Sequence, residues 1–70
     1  MTERRAKGKA REDLVVGAAT RAIAELGLAN VRVADIAERA GMSPGHVTYY
    51  FPSKTDLLIL AIRRSEELLS

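Results

Sequence analysis

Apolar residues fall into helical spacing from about residue 10 onward. Leu14, Val15, Ala18, Ala22, Ile23 and Leu26 recur at i, i+3 and i+4, the spacing of one buried stripe. That predicts a first helix over about 10–26. Gly27 then ends it as a left-handed residue, with Leu28 placed to close a Schellman contact. Asn30 marks a turn. Ile36, Ala37 and Ala40 predict a short second helix over about 33–40, with Asp35 in the first turn, where the helix dipole favours a carboxylate. Gly41 ends it. Ser43 is a good N-cap and Pro44 a good first residue for a third helix over about 44–50, which Pro52 stops because proline lacks a backbone donor. Ser53 and Asp56 form a capping box that opens a fourth helix at Lys54. No period-two segment is long enough for a strand, so the predicted class is all-α.

The fourth helix carries six consecutive apolar residues, 57–62. Six residues turn through about 500° and cannot share one face. Leu57, Leu58, Ala61 and Ile62 form the stripe expected to cover the first helix. Ile59 and Leu60 are expected to point elsewhere, as are Leu68 and Leu69, giving an apolar patch of the kind that marks an interface. Gly17 interrupts the first helix at a cost of about 1 kcal/mol relative to Ala. It is either a tolerated defect or a site of close approach.

Two short helices joined through a glycine are the outline of a helix-turn-helix. Ala37, four residues before Gly41, is small enough to let the helices cross closely. Gly41 supplies the positive φ of the turn. Val47, six residues later, is the apolar anchor that docks the third helix, and Ile36, Ala40 and Met42 are the remaining inward positions. The motif spans about 32–51 of a domain over 10–53. An ordinary αα-corner in a helical bundle is the alternative.

Charge changes the picture more than composition does. Residues 1–11 hold Arg4, Arg5, Lys7, Lys9 and Arg11 against Glu3, a net +4, while six basic and eight acidic residues leave the remainder at −2. Residues 1–9 are polar, without apolar periodicity, and read as a flexible basic arm. Such an arm suits a polyanion, most often nucleic acid; a solvated leader is the alternative. Seventy residues allow one small domain. With 47% hydrophobic and 29% charged residues the chain is globular rather than disordered. No cysteine and one histidine leave no disulfide, no metal site and no nucleophile–base pair, so neither a cofactor nor an enzyme is expected. No apolar run spans a bilayer and no secretory h-region follows the basic start, so a cytoplasmic setting is expected.

The stretch 31–58, VRVADIAERAGMSPGHVTYYFPSKTDLL, resembles the DNA-binding region of the tetracycline-repressor (TetR) family. Three blocks carry the likeness: Asp35-Ile36-Ala37, then Ala40-Gly41-Met42-Ser43, then Tyr50-Phe51-Pro52-Ser53-Lys54 leading into Leu57 and Leu58. The first helix closing at Glu25-Leu26-Gly27 also matches, and the likeness covers about residues 11–62. It implies a three-helix DNA-binding head, a connecting fourth helix begun by residues 54–70, and a further helical domain that binds a small-molecule effector and forms the homodimer. It also implies that the third helix lies in the major groove. Its N-terminal turn of Ser43, Pro44, Gly45 and His46 would then face base edges or phosphates, where free N–H groups suit an anion. Thr48, Tyr49 and Tyr50 match positions that touch DNA, and Lys54 matches a lysine that meets the backbone. Arg4, Arg5, Lys7, Lys9 and Arg11 join them as arm contacts.

Two departures matter. The family usually has Tyr at the place of Thr48, which shortens a contact there. It often has a Ser or Thr cap at the place of Arg32, which cannot cap but can reach a phosphate beside the second helix. His46 has the alternative of pairing with its own helix terminus, and Lys54 that of a solvated first-turn residue. Phe51 is expected in the core. Tyr50 is expected to pack its ring and present its hydroxyl. The function expected is a sequence-specific DNA-binding transcriptional regulator, a ligand-responsive repressor that binds a palindromic double-stranded operator as a dimer. A small helical protein-interaction or anionic-membrane-binding module is the alternative.

Overall fold

One long helix is the surface on which the second and fourth helices are assembled. The computed structural model describes the backbone of residues 2–69 and the side chains of 8–67. Its elements are α1 (Thr2–Leu26), a 3-10 turn (Leu28–Asn30), α2 (Val33–Ala40), α3 (Pro44–Tyr50) and α4 (Lys54–Leu69). Twenty-five residues at about 1.5 Å each make α1 about 38 Å long, which matches the molecule's longest dimension of 38 Å. Both α2 and α4 pack on α1, and α3 packs on α2.

The buried face of α1 is Val15, Val16, Ala18, Ala19 and Ala22. At about 100° per residue these cover an arc of about 160°, wider than a single stripe because two helices share it. All five are small or β-branched, so the partner helices come close. Leu14 falls outside the arc and is 54% exposed, and Leu26, in the last turn, is 37% exposed. Both were expected in the core from apolar periodicity. The facing core is Val31, Ile36, Ala37, Val47, Leu57, Leu58 and Ala61, with Met42, Phe51 and Leu60 packed at its margin. Leu60 therefore joins the core, contrary to expectation, while Ile59 remains 46% exposed. The side chains of Leu68 and Leu69 lie outside the described residues.

α1 begins at Thr2 rather than at about 10. The segment expected as a flexible arm is polar but rich in helix formers (Ala, Arg, Lys) and free of proline. Periodicity reports burial, not helicity, so a polar extension of a helix escapes it. The Schellman closure expected at Gly27 does not form. Gly27 has φ 86° and ψ 145°, which sends the chain away from the helix axis, and Leu28 is half exposed. Asn30 completes the end instead: its Nδ2 donates to the Leu26 carbonyl at 2.9 Å.

The Schellman geometry occurs one helix later. Gly41 is left-handed at φ 71°, ψ 32°. The Met42 N–H donates to the Ala37 carbonyl at 3.0 Å, and the Gly41 N–H to Glu38 at 3.3 Å, the paired 6→1 and 5→2 bonds of that motif. At the other end of α2, Asp35 Oδ2 accepts from the Arg32 N–H at 3.0 Å. Only this half of a capping box forms, since a guanidinium has no acceptor to return. Ser43 Oγ accepts from the His46 N–H, and Ser53 Oγ from the Asp56 N–H, each at 3.3 Å, so both serines cap their helices, Ser53 by one half of the expected capping box. Two ion pairs brace α1: Arg39 Nε to Glu25 at 2.7 Å from α2, and Arg64 to Asp13 at 2.8 Å from α4.

The glycines give opposite expectations. A Cβ at Gly41 meets nothing within 4 Å, so its requirement is purely the backbone angle. Gly41→Val should destabilise the fold by about 1–3 kcal/mol and Gly41→Asn by less, because asparagine tolerates this region. A Cβ at Gly17 meets only the flexible end of Arg21, at 3.8 Å. Gly17→Ala should therefore stabilise by about 0.5–1 kcal/mol, raising the midpoint by several degrees. Thermal melting followed by circular dichroism checks all three.

Candidate nucleic-acid interface

α3 is a short helix held by one residue. Of its seven residues, PGHVTYY, only Val47 is fully buried. Pro44, Gly45, His46, Thr48 and Tyr49 are exposed, and Tyr50 is half-buried. Tyr49 is 78% exposed, its ring in edge-to-face contact with Tyr50 at 5.3 Å between centroids. An exposed aromatic ring on a rigid helix offers apolar area together with a polar hydroxyl for contact with a partner. A helix is about 10–12 Å across with its side chains, which a major groove about 12 Å wide accommodates.

The expected site residues fall into three places. Arg11, Ser43, His46 and Tyr50 come together around a groove between α1 and the 40–43 turn, with Leu14, Ala40, Gly41 and Met42 completing its lining. Periodicity assigns Leu14 to the core; its place on this exposed edge follows instead from where α2 and α4 lie on α1. Arg32 and Lys54 share a second concavity with Asp35, Val31 and Asn30, where the turn, α2 and α4 begin. Pro44, Gly45, Thr48 and Tyr49 form the outer surface of α3. Lys9 is exposed on α1. The side chains of Arg4, Arg5 and Lys7 lie outside the described residues.

Several polar groups are already committed. The His46 N–H is satisfied by Ser43, from both its carbonyl at 3.0 Å and its Oγ at 3.3 Å, so this donor of the α3 terminus is not open to an anion. The Thr48 hydroxyl donates back to the Gly45 and Pro44 carbonyls at 3.0 and 3.3 Å. Lys54 Nζ donates to the Val31 carbonyl at 3.2 Å, so this lysine pins the turn to α4 as well as facing solvent.

The cations of the domain divide in the same way. Arg39 is held to Glu25, and its pKa is raised above the ordinary value first by that hydrogen bond; desolvation opposes the rise, and the charges of Glu25, Asp35 and Glu38 each add to it by less. Arg21 donates to the Arg39 carbonyl and Arg64 pairs with Asp13. Among the described residues, Lys9, Arg11, Arg32 and Arg63 are exposed cations with no ion pair or side-chain hydrogen bond. Two of these, Arg11 and Arg32, border the grooves on either side of the helix pair.

The model of bacterial regulatory proteins of the tetR family matches residues 15–61. The chain belongs to this family. The match takes in the buried face of α1, the whole of α2 and α3 and the first half of α4, so the helix pair around Gly41 is the family's helix-turn-helix. The HTH-type transcriptional regulator BetI of Stenotrophomonas maltophilia (strain R551-3) is 41% identical over 54 residues, 77% of this chain and 28% of that protein. The chain thus spans little more than a quarter of that relative's length. No solved structure matches the chain. No helix among the described residues is long and apolar enough to cross a membrane.

The division between anchor and exposed surface is testable without DNA. Tyr49→Ala and His46→Ala should leave stability within about 0.5 kcal/mol. Val47→Ala removes a fully buried side chain and should cost about 2 kcal/mol. Urea unfolding of the three variants separates them.

Proposed function

We propose that this chain is the DNA-reading head of a ligand-responsive transcriptional repressor that binds a palindromic operator as a homodimer. The observation that carries the reading is α3, a helix fixed by Val47 and the Gly41 turn, whose exposed face offers His46, Thr48 and Tyr49. Family membership and the name of the BetI relative, a transcriptional regulator, support the same assignment.

In this reading residues 10–53 form the DNA-binding unit and α3 enters the major groove. His46 and Tyr49 face base edges, with Ser43, Pro44, Gly45 and Tyr50 at the rim. Lys54, with two Nζ protons beyond the one given to Val31, and Arg32 beside it hold one phosphate run. Arg11 and Lys9, with Arg4, Arg5 and Lys7 further along α1, hold another. The pairing of Arg39 and Arg64 within the fold removes them from this role. The homodimer contacts and the effector site belong to sequence beyond these residues, in keeping with the 28% share of the BetI relative that the chain covers. In this reading α4 leads toward them, and the exposed Ile59 supports it as an apolar position left for such a contact. The head itself performs no chemistry, and its setting is cytoplasmic.

Two groups of residues should respond differently. Replacing Arg4, Arg5, Lys7 and Lys9 by alanine keeps α1 a good helix and removes charge only. The slope of log K against log salt should flatten by about 0.9 for each phosphate no longer neutralised, with the ranking of duplexes unchanged. An unaltered slope would remove these residues from the interface. Lys54→Ala should weaken all duplexes alike, whereas His46→Ala should reorder them. Fluorescence anisotropy titrations against duplexes from a random-pool selection measure both. A protein that enriches no duplex from such a pool is not a DNA reader.

A further inference from the structure

We propose that Thr48 recognises the C5-methyl group of a pyrimidine, that of thymine in an unmodified duplex, by contact with its own γ-methyl and not by a hydrogen bond. The inference rests on the DNA-binding reading above and specifies what one part of α3 reads.

The Thr48 hydroxyl has one proton, and it is shared between the Gly45 carbonyl at 3.0 Å and the Pro44 carbonyl at 3.3 Å. With that oxygen turned onto the helix backbone, the γ-methyl is the group left for a partner. A helical side chain covers the turn preceding its own Cα, which here is Pro44 and Gly45. Gly45 has no side chain there, and a Cβ built on it would have only Ser43 Oγ nearby, at 3.9 Å. Pro44 is exposed and has no N–H. Thr48, Gly45 and Pro44 thus make a small bare spot on the outer face of α3 that presents a methyl and a ring and has no hydrogen to donate. The major-groove edge of a base pair offers one protruding apolar group suited to such a spot, the methyl at pyrimidine C5; cytosine has only a hydrogen there, and the remaining groups donate or accept hydrogen bonds.

The test uses the complete protein and duplexes selected from a random pool. Each thymine of a selected duplex is replaced in turn by uracil, which lacks only the methyl. The expected result is one position per half-site where uracil weakens binding about fourfold, the equivalent of about 0.8 kcal/mol for one methyl returned to water. A cytosine at that position should bind better when 5-methylated. Thr48→Val keeps the methyl and loses the hydroxyl, and should retain the uracil penalty. Thr48→Ser keeps the hydroxyl and loses the methyl, and should bind uracil and thymine duplexes alike. Position 48 is exposed, so both variants should melt close to the parent. Overturning results are a selected site with no uracil-sensitive thymine, a full uracil penalty in Thr48→Ser, or a Thr48→Val protein that loses all discrimination, which would assign the reading to the hydroxyl as an acceptor. Failure to enrich any duplex would instead overturn the DNA-binding reading itself, and this inference with it.

Discussion

The left-handed turn at Gly41 is the constraint on which the arrangement of the rest depends. Residue 41 ends α2 at φ 71° and hands the chain to Ser43 within two residues. An interval that short leaves no slack: the direction of α3 relative to α2 follows from one backbone conformation. The paired bonds from Gly41 and Met42 to Glu38 and Ala37 fix that conformation by satisfying carbonyls that would otherwise be open at the helix end. Ser43 and Pro44 then start α3 at once. With its direction set, α3 needs only Val47 to dock, and its remaining positions are released from the core.

That release is possible because α1 takes over the task of building a core. A domain of this size has a total stability of only about 4–10 kcal/mol. The small residues of α1 let α2 and α4 approach closely, so that Ile36, Leu57 and Val47 are fully enclosed despite the short chain. The Arg39–Glu25 and Arg64–Asp13 pairs lie at the edges of this packing, partly in water, where such pairs are worth little in stability. Their larger consequence is electrostatic: they cancel cations of the domain's body. Among the described residues, the cations left without an ion pair are Lys9, Arg11 and Arg21 on α1, Arg32 before α2, and Lys54 and Arg63 on α4, with Arg21 and Lys54 each donating to a neutral carbonyl.

The domain can therefore be understood as a rigid frame with a small exposed reader. The frame is apolar contact and backbone geometry. The reader is a helix of seven residues on which nearly every side chain is available, with the polar groups Ser43 and Thr48 largely spent on the backbone. What remains outward is aromatic, imidazole and methyl surface, while exposed cations lie on neighbouring elements.

Local signals were enough for the element order and for the caps. Gly41, Ser43-Pro44 and Ser53–Asp56 each act within a few residues, through angles and hydrogen bonds that their own side chains determine. The bounds of α2 and α3 were legible for that reason, and so was the anchor role of Val47. Residues that depend on which helix lies opposite were not legible. Leu14 and Leu26 have the periodicity of a core stripe, yet the arc buried on α1 is set by where α2 and α4 lie, which leaves Leu14 outside it, and Leu26 lies within the arc but at the last turn of the helix; local pattern encodes neither. Leu60 and Val31 entered the core for the same reason. The polar start of α1 was missed because its helicity comes from propensity without burial. The roles of Lys54 and of the Thr48 hydroxyl also needed coordinates. Residue type said that each could make a hydrogen bond. Only the folded chain, by bringing the Val31 carbonyl beside Lys54 and the Pro44 and Gly45 carbonyls beneath Thr48, decided which bond is made and which group is left to meet a partner.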